Sequence, residues 1–147
     1  ARPVALSAVV ALTDLMVCTL PSPAISRSLE QAYSISRALE EAYLLAHITR
    51  LGRLSAQERI GDFLLEMHER LDLAGLASHG SFELPLTQES LADTLGLTSV
   101  HVNRMLQVAR LEGELHWKSG RVTLSDPTSL ARKVGRTPIR VSASSLS

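Results

Sequence analysis

The stretch TQESLADTLGLTSVHVNRMLQVARLEG, residues 87–113, constrains the fold most, because its apolar residues fit only two short helices meeting across a tight turn. Leu91, Ala92 and Leu95 share one face of the first helix; Leu97, Val102, Met105, Leu106 and Ala109 supply the matching face beyond the turn. Ala92 sits where the helices cross and a larger side chain would hold them apart. Gly96 stands where the chain leaves the first helix, a place for the left-handed conformation that glycine adopts without steric cost. This is the helix-turn-helix pattern.

The outer face of the second helix, Ser99–Leu111, carries the chemistry. Val100, Asn103, Arg104 and Gln107 recur at i, i+3, i+4 and i+7 and form one stripe opposite the core stripe. Arginine's planar fork matches the two acceptors on the major-groove edge of guanine, and asparagine can pair bidentately with adenine. Thr98 or Ser99 can cap this helix, and Thr87 with Gln88 opens the first one, so both helix starts offer N–H groups suited to phosphate. His101 lies in the same first turn. These residues form a candidate DNA-binding set, with phosphates positioning the helices and the stripe reading bases.

Two segments after the second helix extend that set. Residues 114–117 and 121–124, separated by Lys118-Ser119-Gly120, form a small hairpin with a basic tip, as a wing beside a recognition helix would. Lys118 and Arg121 are its expected phosphate contacts. Asp126 and Pro127 fit the cap and first position of a last short helix ending at Gly135. The remainder, 136–147, is serine-rich and basic, and is expected to form a tail.

Upstream, residues 4–20 are apolar but broken by Thr13 and Asp14, and too short for the roughly 20 apolar residues of a bilayer span. Arg2 ahead of an apolar run also fits a signal peptide. A hairpin of two strands, 8–12 and 15–20, is the favoured reading. Residues 25–51 read as a long helix, with Leu29, Ala32, Ser36, Leu39, Tyr43 and Ala46 at spacings of three and four. Such a stripe either lies on its own chain or pairs with the same helix of a second copy. Gly52 and Arg53 punctuate, and Ser55-Ala-Gln-Glu58 is a capping box before an apolar helical face. Residues 73–81 read as a loop, and Phe82-Glu-Leu-Pro-Leu86 as a short edge strand, since Pro85 has no N–H to donate.

Net charge over the 147 residues is zero, which argues against a general polyanion binder. Its distribution is uneven: Arg104, Arg110, Lys118, Arg121, Arg132, Lys133, Arg136 and Arg140 face only Glu112, Glu114 and Asp126 in the C-terminal third. Cys18 is the only cysteine, so an intrachain disulfide and cysteine-rich metal sites are excluded, and a reducing cytoplasm is the natural setting. His47, His68, His79, His101 and His116 have no zinc-ligand spacing, and neither a nucleophile elbow nor a Walker loop occurs. No catalytic residue, metal or cofactor is expected.

Read in series, LGRLSAQERIGDFLLEMHERL (51–71), SFELPLTQESLADTLGLTSVHVNRMLQ (81–107) and the GRVTLSD wing (120–126) make the chain resemble the Crp/Fnr family of bacterial transcription regulators. The resemblance covers residues 25–134. It implies a mainly α fold with a small β part: a remnant of the effector β-roll over 1–24, a dimerisation helix over 25–52, a winged helix-turn-helix over 53–136 and a tail over 137–147. It implies a homodimer on an inverted repeat of double-stranded DNA, no membrane, and RNA polymerase as a further partner. Arg104 matches the family's base-reading arginine, and Asn103 a neighbouring position that contributes to half-site choice. Val100 stands where many members carry glutamate, a departure that suits contact with a thymine methyl. The family's phosphate cradle and cysteine set are absent, so neither cyclic nucleotide nor an iron–sulfur cluster is expected here. The alternative is a winged helix that serves a protein partner and does not read sequence.

Overall fold

A computed structural model of the chain describes residues 10–18 and 27–140. The outer parts of the expected N-terminal hairpin, Ile25 at the head of the long helix and residues 141–147 of the expected tail lie outside the described residues.

Five helices and four short strands follow in the order α1 (Arg27–Arg53), α2 (Ala56–Leu73), β1 (Ala77–Ser78), β2 (Ser81–Glu83), α3 (Gln88–Leu95), α4 (Ser99–Leu111), β3 (Leu115–Lys118), β4 (Arg121–Leu124) and α5 (Pro127–Val134). Side chains close the helix starts. Ser55 and Glu58 make the reciprocal capping box of α2, while Thr87, Thr98 and Asp126 each accept the backbone N–H three residues on. Gly96 ends α3 at φ 62°, in the left-handed region its position required.

One core joins these elements. Ile60, Phe63 and Leu64 of α2 meet Leu91 and Leu95 of α3, Val102 and Leu106 of α4, Phe82, Val122 and Leu124 of the sheet, and Leu130 and Val134 of α5. Leu91, Leu95, Val102 and Val122 are fully buried, so the face assignments for the two central helices hold. Helix α5 packs closely on α2 at Gly61, where an added Cβ would lie 3.1 Å from Val134 Cγ1.

The sheet is antiparallel in the order β1-β2-β4-β3, and here the sequence reading needs correction. The expected edge strand is three residues long and central: Phe82 pairs with Ala77 of β1 on one side and with Val122 of β4 on the other. Pro85 lies beyond the strand and interrupts no ladder. The expected loop over 73–81 contains β1, joined to β2 through His79 and Gly80, both at positive φ (49° and 77°). The wing repeats this two-residue turn at Ser119 and Gly120 (52° and 78°), the conformation whose twist matches paired strands.

Two further expectations change. Among the described residues 10–18 there is a bend at Leu12 and Thr13 but no strand, and Val10, Met16 and Val17 are exposed. A hairpin with no third strand or helix to cover it is marginal in water. Helix α1 also continues through Gly52 to Arg53 instead of stopping at Leu51.

The expected stripe on α1 divides. Tyr43 is buried on its own chain, with Arg70 of α2 stacked 4.8 Å from its ring; Leu29, Leu39 and Ala46 are half-buried, and Ala32 and Ser36 are exposed. Tyr43 therefore belongs to the intrachain face. The large apolar side chains α1 leaves exposed are Tyr33, Leu44, Leu45 and Ile48, a row turned away from that stripe.

Candidate nucleic-acid interface

The stripe expected to read bases is exposed, as its spacing requires. Val100 is 81% exposed, and His101, Asn103, Arg104 and Gln107 are exposed beside it. Gln107 Nε2 donates to Asn103 Oδ1 at 3.4 Å, a contact that aligns both amides along the helix while leaving donors and acceptors to spare. Arg104 makes no hydrogen bond or ion pair among the described residues, so its guanidinium is available in full.

Of the two hydroxyls at the start of α4, Thr98 is the cap, accepting from the His101 N–H at 3.2 Å, and Ser99 is the first helical residue. Thr87 caps α3 by accepting from Ser90 N at 3.0 Å and also contacts the Ser90 hydroxyl at 2.9 Å. Gln88 is exposed in the first turn of α3. It lines a hollow with Asn103, Gln107, Arg110, Trp117, Ser119 and Gly120 that runs between α3, α4 and the wing. Thus the start of α3, α4 and the wing tip share one concave surface.

Arg110 was missed as part of this surface. Its Nη2 donates to the Trp117 carbonyl at 3.3 Å, tying the end of α4 to β3. Arg59 was missed as well: its Nη1 donates to the Leu95 carbonyl at 3.2 Å and its Nε to the Leu54 carbonyl at 2.8 Å. It satisfies the C-terminal end of α3 and joins the turn of the helix pair to the segment between α1 and α2. A lone arginine in an amphipathic helix carries no sequence signal for either role.

Three of the eight cations of the C-terminal third, Arg121, Lys133 and Arg136, are ion-paired within the fold. Lys133 pairs with Glu112 at 3.1 Å and Glu114 at 2.5 Å, and hydrogen bonds to Glu114 and Glu112 raise its pKa. Arg136 donates to Glu69 and Asp62. Burial alone would lower its pKa, but the hydrogen bonds to Glu69 and Asp62 outweigh burial and raise it. Arg121, expected to meet phosphate, pairs with Glu83 at 2.5 Å on the exposed side of the sheet. Lys118 is exposed at the wing tip. Arg110 lines the concave surface, and Arg104 and Lys118 are exposed on α4 and at the wing tip, the elements that form it.

Among the described residues no group of acidic, histidine or cysteine side chains could hold a metal ion. No helix there is long and apolar enough to cross a membrane.

Residues 58–133 match the Crp-like helix-turn-helix domain. The nitrogen fixation regulation protein FixK of Azorhizobium caulinodans is 36% identical over 87 residues, covering 58% of this chain and 35% of the relative. FixK of Bradyrhizobium diazoefficiens is 37% identical over 81 residues, covering 55% and 34%. The chain thus spans about a third of the length of these two relatives. Among solved structures, FixK2 from Bradyrhizobium japonicum is 30% identical with a TM-score of 0.61, covering 73% of this chain and 52% of that one. A CRP-family transcriptional regulator from Thermus thermophilus, 21% identical with a TM-score of 0.62, covers 80% and 59% and shares the fold. With capped helix pair, wing and matched domain in one continuous stretch, the chain belongs to the Crp/Fnr family of transcription regulators.

Proposed function

We propose that this chain binds double-stranded DNA in sequence-specific fashion as a homodimer on an inverted repeat. The observation that carries the reading is the exposed stripe of Val100, Asn103, Arg104 and Gln107, held between two capped helix starts and a wing whose tip carries Lys118. In this reading α4 enters the major groove. Arg104 reads guanine, Asn103 adenine, and Val100 a thymine methyl. His101, with the N-terminal turns at Thr87, Gln88, Thr98 and Ser99, approaches phosphates, and Lys118 neutralises one beside the groove. Arg121 serves the wing by pairing with Glu83 and contributes less to phosphate than its position suggested.

The dimer follows from α1. Its exposed row of Tyr33, Leu44, Leu45 and Ile48 is apolar surface that a second copy of the helix would cover about a two-fold axis. A regulator acting in this way works in the cytoplasm, with RNA polymerase as a further partner.

Selection of bound sequences from a random duplex pool tests the reading. An inverted repeat is expected. On the recovered half-site Arg104→Ala should cost about 1–3 kcal/mol and relax specificity at one position. Lys118→Ala should weaken all sequences alike and reduce the salt slope by about 1. Recovery of no sequence above background, with binding indifferent to Arg104→Ala, would favour the winged helix as a protein-interaction module.

A further inference from the structure

Helix α1 is attached to the winged helix through charge. Its only buried side chains among the described residues are Tyr43 and Arg50, and Arg50 is 1% exposed. The Arg50 guanidinium donates through Nε to Asp62 at 2.6 Å and through Nη2 to Glu66, while Nη1 meets His47 Nδ1 at 3.0 Å. Phe63 closes it from one side, with the ring centroid 5.6 Å away. Asp62 turns its other oxygen to Arg136 at 3.0 Å, and Arg136 holds Glu69 with two further hydrogen bonds at 2.9 and 2.7 Å. One connected network therefore runs from α1 through α2 to the segment after α5.

Such a network is a poor source of stability, because desolvating the charges consumes most of what their attraction returns. What it supplies is direction. An apolar contact tolerates rocking, whereas a planar guanidinium bonded through all three nitrogens accepts one orientation. The consequence is large because α1 is long. From Tyr33 to Arg50 it spans about 26 Å, so a rotation of about 10° at Arg50 displaces the Tyr33 end by about 4–5 Å. That exceeds the rise of one base pair, about 3.4 Å.

We propose that Arg50, held by Asp62 and Glu66, is a positioning residue that sets which half-site spacing the dimer accepts, by fixing the angle between α1 and the winged helix. The proposal rests on the dimeric reading above. Arg50 touches no base and no phosphate in it.

The test uses the full chain on duplexes carrying two copies of the selected half-site, with the spacer shortened or lengthened by one and two base pairs, and on a duplex with a single half-site. Wild-type chain should prefer one spacer by about tenfold or more, equivalent to about 1.4 kcal/mol. Arg50→Met should flatten that preference while leaving affinity for the single half-site unchanged. Glu66→Gln keeps the Asp62 bond and should flatten it less; it decides the matter if Arg50→Met fails to fold. A spacer preference unchanged in both variants overturns the proposal and leaves the dimer standing. Equal losses on single and paired half-sites overturn it by giving Arg50 a role in the domain itself. A wild-type chain indifferent to spacer overturns the proposal together with the dimeric reading.

Discussion

Gly80 offers the sharpest test of how the small sheet is held. It is the second residue of the β1–β2 turn at φ 77°, and a Cβ built there would lie 2.5 Å from the Leu124 carbonyl oxygen and 3.5 Å from Pro127 Cγ. Gly75, at φ 71°, has nothing within 4 Å of its Cβ position. Alanine at either site incurs the left-handed penalty of about 1–2 kcal/mol. At Gly80 the overlap must also be relieved by moving backbone, and the Gly80 carbonyl is the acceptor of the Leu124 N–H at 2.9 Å. Losing that bond beside the core adds about 1–3 kcal/mol. Gly80→Ala should therefore destabilise more than Gly75→Ala by about 1–3 kcal/mol, and for a domain of this size each kcal/mol lowers Tm by about 4–8 °C. Urea titrations and thermal melts of the two variants in parallel measure the difference. Equal destabilisation would refute the claim that close approach, and not φ alone, selects glycine at this turn.

Two other outcomes follow from the same geometry. The Glu58 carboxylate is held below its ordinary pKa by its hydrogen bonds with Ser55, so the capping box contributes stability above the unfolded carboxylate pKa and loses it as pH falls through the lower folded value. A carboxyl titration followed by NMR should give Glu58 a midpoint below 4.5, and Ser55→Ala, which removes the hydroxyl but keeps the backbone N–H that donates to Glu58, should raise it part of the way back; an unchanged midpoint would remove the Ser55 side chain as a cause. For the α1 surface, Ile48→Glu should shift the chain toward monomer in sedimentation, whereas Tyr43→Phe, altering a residue buried on its own chain, should leave assembly unchanged. The reverse pattern would place the contact on the wrong face.

The helix pair was legible because each of its features has a local cause. Gly96 is required by the exit from α3, Thr87 and Thr98 by orphan N–H groups, and the split between Leu106 and Gln107 by helical period. The α1 stripe left two packings open because period alone cannot say which apolar face a helix buries: Leu39, Tyr43 and Ala46 repeat as regularly as Tyr33, Leu44 and Ile48, and the position of α2 decides that Tyr43 is buried on its own chain. Strand β1, two residues long, has no pattern to detect, and the central place of β2 depends on β4, far along the chain. Arg50, Asp62, Glu66 and Arg136 read singly as solvated charges. Their pairing across α1, α2 and the segment after α5 exists only in three dimensions.

The register of the sheet also bears on how the helix pair is joined to the rest of the chain. Glu83 of β2 stands opposite Arg121 of β4, and the Leu84 N–H donates to the Gly120 carbonyl at 2.7 Å just inside that pair. Residues 84–120, which hold α3, α4 and β3, thus enter and leave through one narrow neck fastened by a salt bridge and a backbone bond. A segment whose two ends meet can be exchanged for a relative's counterpart without moving the helices that flank it, provided that Leu91, Leu95, Val102 and Leu106 keep their places in the core. The fold therefore gathers the helix pair into one segment that is closed at its ends and tied to its flanks at few points, Arg59 to the Leu95 carbonyl and Lys133 to Glu112 and Glu114 among them.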